Sequence, residues 1–166
     1  MLIELSITWI IGLNVIGWLV LQLGLAWAFT QLPIVWFNPA PAWGWERSGR
    51  FYEDCLAIKR WKDCLPDGGR WFAGGFAKSA LTASDPDYLR RFLRETWRGE
   101  VCHWSAIACA PVFVLWNPWW GDCINFGYAL AGNLPCILVL RYNRGRLRRL
   151  LARTSARTGG DDRRRD

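Results

Sequence analysis

Glu100, His103 and Trp104 stand together in RGEVCHWSAIACAPVFVLWNP, residues 98 to 118, where a charged segment passes into an apolar one. His103 is the chain's one histidine. Residues three apart share a helix face, so Glu100 can orient the imidazole and stabilise its charged form. A general base for a hydroxyl proton is commonly assembled in this way. The competing reading is that Glu100 and His103 merely end a soluble segment, with Trp104 in an interfacial aromatic belt. An ionisable side chain just inside an apolar run weighs toward function. Such a base needs neutral imidazole, which a carboxylate neighbour opposes and partial desolvation favours.

Two further groups lie downstream. Asn133, inside the apolar YALAGNLPCILVL, carries an amide that needs partners when buried, so it faces another helix and is a candidate oxyanion donor. Arg141, Arg144, Arg146 and Arg148 follow at the exit. Their guanidinium groups suit phosphates, whether of lipid headgroups or of an activated donor. The chain has no GxSxG elbow, phosphate loop or GxGxxG. Position five after His103 is Ala108, so the histidine–aspartate pattern of many glycerolipid acyltransferases is absent too. The six cysteines form no CxxC pair, and with a single histidine a metal site is not expected.

These residues must be positioned by apolar helices. Half of the 166 residues are hydrophobic and thirteen are tryptophan, a residue that gathers where one edge of a ring is wet and the other apolar. Residues 5 to 29 carry no charge, and 25 helical residues at about 1.5 Å each exceed a hydrocarbon core of roughly 30 Å. Glu4 and the length of this run favour an uncleaved anchor, residues 1–30, over a signal peptide. From 101 to 140 the only formal charge is Asp122, and NPWWGD at 117–122 signals a turn. This reads as a hairpin of two apolar helices, about 101–116 and 123–140, either transmembrane or re-entrant, with Pro111 and Pro135 bending the arms.

Residues 31–100 read as a cytoplasmic, interfacial helical segment. Phe51, Cys55, Ile58 and Leu65 share one face of an expected amphipathic helix ended by Pro66-Asp67-Gly68-Gly69. A second helix starts at an Asp85 cap with Pro86 in the first turn, buries Tyr88, Leu89, Phe92, Leu93 and Trp97, and runs on into the hairpin. Residues 141–166 hold ten arginines against three aspartates, which accounts for the whole net charge of +7. A basic tail can bind nucleic acid, but directly after an apolar span it is better read as a cytoplasmic anchor, disordered at its end. The fold expected is an all-α, multi-pass integral membrane protein with its tail in the cytoplasm.

Three blocks resemble the glycosyl-4,4'-diaponeurosporenoate acyltransferases, which carry out the last step of staphyloxanthin synthesis. They are FYEDCLAIKRWKDCLPDGG (Arg60, Trp61, Lys62, Asp67, Gly68), ETWRGEVCHW (Glu95, Arg98, Glu100, His103, Trp104) and YALAGNLPCILVLRYNRGRL (Tyr128, Asn133, Pro135, Ile137, Arg141, Tyr142, Asn143, Arg144, Arg146, Leu147). Order and spacing agree over about residues 45 to 150, with Leu140 where the family usually has glutamine. The resemblance implies transfer of a fatty acyl group from an activated donor, such as acyl-CoA, to a sugar hydroxyl of a membrane-bound carotenoid glycoside, with no other cofactor. His103, Glu100 and Asn133 then become the candidate catalytic set. Arg141, Arg144, Trp104, Tyr142, Asn143, Lys62 and Asp67 become candidate substrate contacts. Within enzymes, acylation of a different glycolipid is an alternative; from another class it is a non-catalytic membrane interaction or assembly subunit, which would spread its informative residues over an exposed helix face rather than around one cavity.

Overall fold

The computed structural model describes residues 3–39, 41, 43–65 and 85–162. Among these every regular element is helical and there is no strand. Helix α1 (Ile7–Gln31) is the uncharged N-terminal run. Short 3-10 turns at Ile34–Trp36 and Gly44–Gly49 lead to the brief α2 (Arg50–Asp54). Helix α3 (Pro86–Cys109) continues as a 3-10 stretch, Ala110–Leu115, and α4 (Trp119–Asp162) returns alongside it.

Helix α3 starts where its sequence dictates. The Asp85 carboxylate accepts from the backbone N–H groups of Asp87 and Tyr88 at 3.1 and 2.9 Å, satisfying two of the first turn's open donors, and Pro86 needs none. From there α3 runs into the hairpin without a break. Its α-helical hydrogen bonding ends at Cys109, two residues before Pro111, whose missing N–H and fixed φ fit a tighter turn. Leu89, Phe92 and Leu93 pack on Leu147, with Leu150 and Leu151 at the edge, so the apolar face of α3 is covered by α4.

Helix α4 begins at Trp119, four residues earlier than the turn signal suggests, and continues through the arginines to Asp162. The sequence reads 159–166 as a disordered end; Gly159 to Asp162 belong to the helix, and 163–166 lie outside the described residues. From Trp119 to Arg141 the helix is about 33 Å long at 1.5 Å per residue, close to the roughly 30 Å of a hydrocarbon core. Helices α1 and α4 are both long and apolar enough to cross a membrane. Helix α1 leaves most of its surface bare, with Trp9 67% and Val20 66% exposed. Water does not favour so large an apolar surface, and the two apolar helices point to membrane association.

At the hairpin tip α1 meets the turn through side-chain amides. Asn14 Nδ2 donates to Asn117 Oδ1 and Asn117 Nδ2 donates back to Asn14 Oδ1, both at 2.8 Å, while Trp116 Nε1 donates to the same Asn14 oxygen at 2.9 Å. One helical turn further, Trp18 stacks on Phe113 at 4.7 Å and donates from Nε1 to Asn125 Oδ1 at 2.8 Å. Gly17 lies beneath Phe113, where a Cβ would come within 2.9 Å of the ring.

The expected amphipathic helix over 51–65 is not continuous. It stops at Asp54, Ala57 takes a left-handed φ of 46°, and 3-10 turns follow at Ile58–Arg60 and Lys62–Cys64. Tyr52 and Ile58 are both buried against Tyr142 of α4. On one straight helix they would point about 120° apart, at 100° per residue, so the chain breaks to bury both. Asp85→Ala should cost about 1 kcal/mol, read as faster hydrogen exchange confined to the first turn of α3. Asn14→Leu should weaken docking of α1 by about 0.6–2 kcal/mol, measured by cross-linking α1 to the hairpin tip.

Candidate active site

Glu100 occupies the centre of a buried charge cluster between α3 and α4. It is fully buried, with Arg141 Nε 2.7 Å from Oε1 and Arg144 Nη1 2.6 Å from Oε2. The first is a hydrogen bond; the second is a close ion pair without hydrogen-bond alignment. Trp104 Nε1 also points at Oε1, at 3.4 Å, and the Arg144 guanidinium lies 5.2 Å from the centre of the Trp97 ring. Glu95 and Arg98 form a second buried pair on α3 at 2.8 Å.

The turn at Gly44–Gly49 supplies another carboxylate. Glu46 accepts from Tyr52 Oη at 2.7 Å and from the Trp43 backbone N–H at 3.2 Å, and it lies 3.7 Å from Arg141. Burial, and then the bond to Glu46, push the Tyr52 hydroxyl well above the ordinary phenol range, which keeps it a neutral donor. The turn can approach because Gly49 has φ of 96° and no side chain; a Cβ there would lie 3.2 Å from the Tyr142 carbonyl. Nearby, Glu53 joins Lys59 at 2.6 Å to Arg149 at 3.2 Å, and its carboxyl is held below the usual range, chiefly by the hydrogen bond from Lys59.

His103 lies one turn along α3 from Glu100, half-buried. Its Nδ1 is 2.8 Å from Asn133 Oδ1 on α4. Asn133 is fully buried, and its Nδ2 donates to the Ala129 carbonyl at 2.8 Å. The sequence assigns ring orientation to Glu100; the group bonded to Nδ1 is Asn133, because two arginines across the interface hold the carboxylate. Both ends of the buried Asn133 amide make contacts within the helix pair, Nδ2 with the Ala129 carbonyl and Oδ1 with His103.

The expected substrate contacts divide in the same way. Arg141 and Arg144 are both paired with Glu100. Tyr142 is a core residue packed with Tyr52 and Ile58. Trp104 is 42% exposed beside His103. Asn143 is half-buried on α4, about 15 Å along the helix from Asn133 at 1.5 Å per residue. Lys62 pairs with its neighbour Asp63, and Asp67 lies outside the described residues. Sequence reasoning missed Glu46 and Tyr52, although a lone acid within the aromatic stretch PAWGWERSG is a signal for a buried partner.

The family profile of glycosyl-4,4'-diaponeurosporenoate acyltransferase matches residues 33–153. The chain belongs to that family. Proteins named glycosyl-4,4'-diaponeurosporenoate acyltransferase from Staphylococcus aureus strains USA300, Newman and MRSA252 are each 31% identical to it over 138 residues, covering 81% of this chain and 83% of theirs. No solved structure matches the chain. The matched region takes in α3, most of α4 and the turn bearing Glu46, so the whole charge cluster and the His103–Asn133 pair lie within it. The protein is therefore an acyltransferase.

Glu100→Ala should destabilise the protein by about 3–5 kcal/mol, because it leaves two buried guanidinium groups without their shared carboxylate. Chemical denaturation in micelles measures the loss. A Tyr52→Phe variant in the same assay should lose only about 1 kcal/mol.

Proposed function

We propose that this enzyme esterifies a sugar hydroxyl of a membrane-held carotenoid glycoside with a fatty acyl group delivered as a thioester such as acyl-CoA, with no further cofactor. The observation that carries this reading is the position of His103. It lies within the apolar layer, one helical turn below the buried Glu100 cluster, in an arm that packs against α4. An acceptor with a polyene tail and a sugar head would lie along the same axis, its head at the depth of the charged cluster. Acyl chains of the donor would enter from the bilayer. Holding both reactants at one depth contributes proximity, worth up to about 7–11 kcal/mol in ideal cases.

His103 takes the proton from the attacking hydroxyl as its oxygen bonds to the thioester carbonyl carbon. The tetrahedral adduct collapses, the carbon–sulfur bond breaks, and the thiolate leaves with the proton from the imidazolium. The products are the ester and a free thiol. Trp104, exposed beside the base, borders the acceptor. The donor's phosphates are met by arginines of α4 beyond the buried cluster, of which Arg146 is exposed. In this topology α1 and both hairpin arms cross the cell membrane, the N-terminus lies outside and the arginine-rich end of α4 is cytoplasmic, in keeping with the excess of basic residues on the inner side. Membrane lipids are its surroundings, and nucleic acid is not a partner.

The test uses the full chain in lipid nanodiscs with a glycosylated carotenoid acid and fatty acyl-CoA, following the ester by mass spectrometry. Wild type should form product, and a folded His103→Ala variant should be slower by about 10²–10⁴-fold. Equal rates would remove His103 from the chemistry, and no product from wild type would reject this donor–acceptor pair.

A further inference from the structure

The hydrogen bonds around Asn133 define which nitrogen of His103 can act. Ala129's carbonyl is an acceptor only, so the amide group facing it at 2.8 Å must be the NH2 of Asn133. The other end of the amide is then the carbonyl oxygen, and it faces His103 Nδ1 at 2.8 Å. A carbonyl oxygen cannot donate, so the bond requires a proton on Nδ1. A neutral imidazole carries one N–H, and with that hydrogen on Nδ1 its lone pair lies on Nε2. Asn133 is fully buried, and flipping its amide would set its oxygen against the Ala129 carbonyl, two acceptors without a hydrogen bond.

We infer that Asn133 is a positioning residue that fixes the neutral His103 ring in the Nδ1–H tautomer, making Nε2 the atom that accepts the acceptor's hydroxyl proton. This rests on the proposed role of His103 as base, and it adds the atom that performs the step and the residue that selects it. In the reaction Nε2 gains the hydroxyl proton while Nδ1 keeps its own, so the imidazolium is bonded to Asn133 Oδ1 throughout and returns the Nε2 proton to the leaving thiolate. The amide differs from a carboxylate in this place because it orients the ring without adding a full negative charge that would favour the imidazolium.

A single histidine makes the tautomer directly observable. The full chain is prepared in nanodiscs with ¹⁵N-labelled histidine, and both ring nitrogens are read by solid-state NMR at a pH where the ring is neutral. The expected spectrum has a protonated, pyrrole-type Nδ1 and an unprotonated, pyridine-type Nε2. In Asn133→Ala the population should move toward Nε2–H, the form that free histidine prefers, and kcat should fall about tenfold or more with KM nearly unchanged. Asn133→Asp, which still accepts from Nδ1–H, should restore the wild-type tautomer when read at a pH raised until its ring is neutral beside the added charge, and that recovery separates orientation from mere packing. An Nε2–H signal in wild type, or the same spectrum in wild type and a folded Asn133→Ala, overturns the inference. The spectra do not depend on turnover. A wild-type tautomer as expected, together with an unaltered rate in His103→Ala, would leave the assignment of Asn133 intact and reject the base instead.

Discussion

The fold depends on bringing one buried carboxylate and two arginines together where an apolar hairpin becomes polar. Isolated charges in such a place are expensive, and their mutual attraction compensates only when geometry is close. Glu100 meets this condition with Arg141 on one oxygen and Arg144 on the other. Because the carboxylate belongs to α3 and both arginines belong to α4, the pairing fixes the register of the two helices. With that register set, His103 and Asn133 come opposite each other at 2.8 Å. The charges therefore place the His103–Asn133 pair. Glu46 and Tyr52 extend the same logic to the turn before α2, whose close approach at Gly49 tethers the polar segment to α4.

The opposite end of the hairpin uses neutral polar groups for a similar end. The reciprocal amide pair of Asn14 and Asn117 gives α1 a directional contact that lipid-like side chains cannot provide. Trp18 adds a ring stack and a hydrogen bond in one residue. Between these two polar ends lies a stretch of mostly aliphatic helix. Its length matches a membrane core, and the exposed apolar surface of α1 belongs in the same layer.

Much of this was legible in the residues. The Asp85–Pro86 cap, the face of Leu89, Phe92 and Leu93, and the uncharged run that became α1 each follow from local rules of capping and periodicity. The family resemblance rested on blocks that do fall within the matched region. What failed was the competition between near and far partners. Glu100 and His103 are three apart, which suggests a pair, but no local rule reports that two arginines 41 and 44 positions away will claim the carboxylate. The same holds for Asn14, whose partner is 103 residues distant. The break after Asp54 was hidden because Phe51, Cys55 and Ile58 have helical spacing, while the hole beside Tyr142 that admits both Tyr52 and Ile58 exists only after α4 is in place.

The unbroken α4 also acts as a ruler. Exposed tryptophans mark one end of its apolar stretch and Arg141 the other, so the distance of Asn133, and with it His103, from either end is set by helix length. Were α4 to cross a bilayer thinner than this stretch, tilt or local thickening would accommodate the difference, and tilt would move the His103–Asn133 pair together with the charge cluster, as one rigid unit.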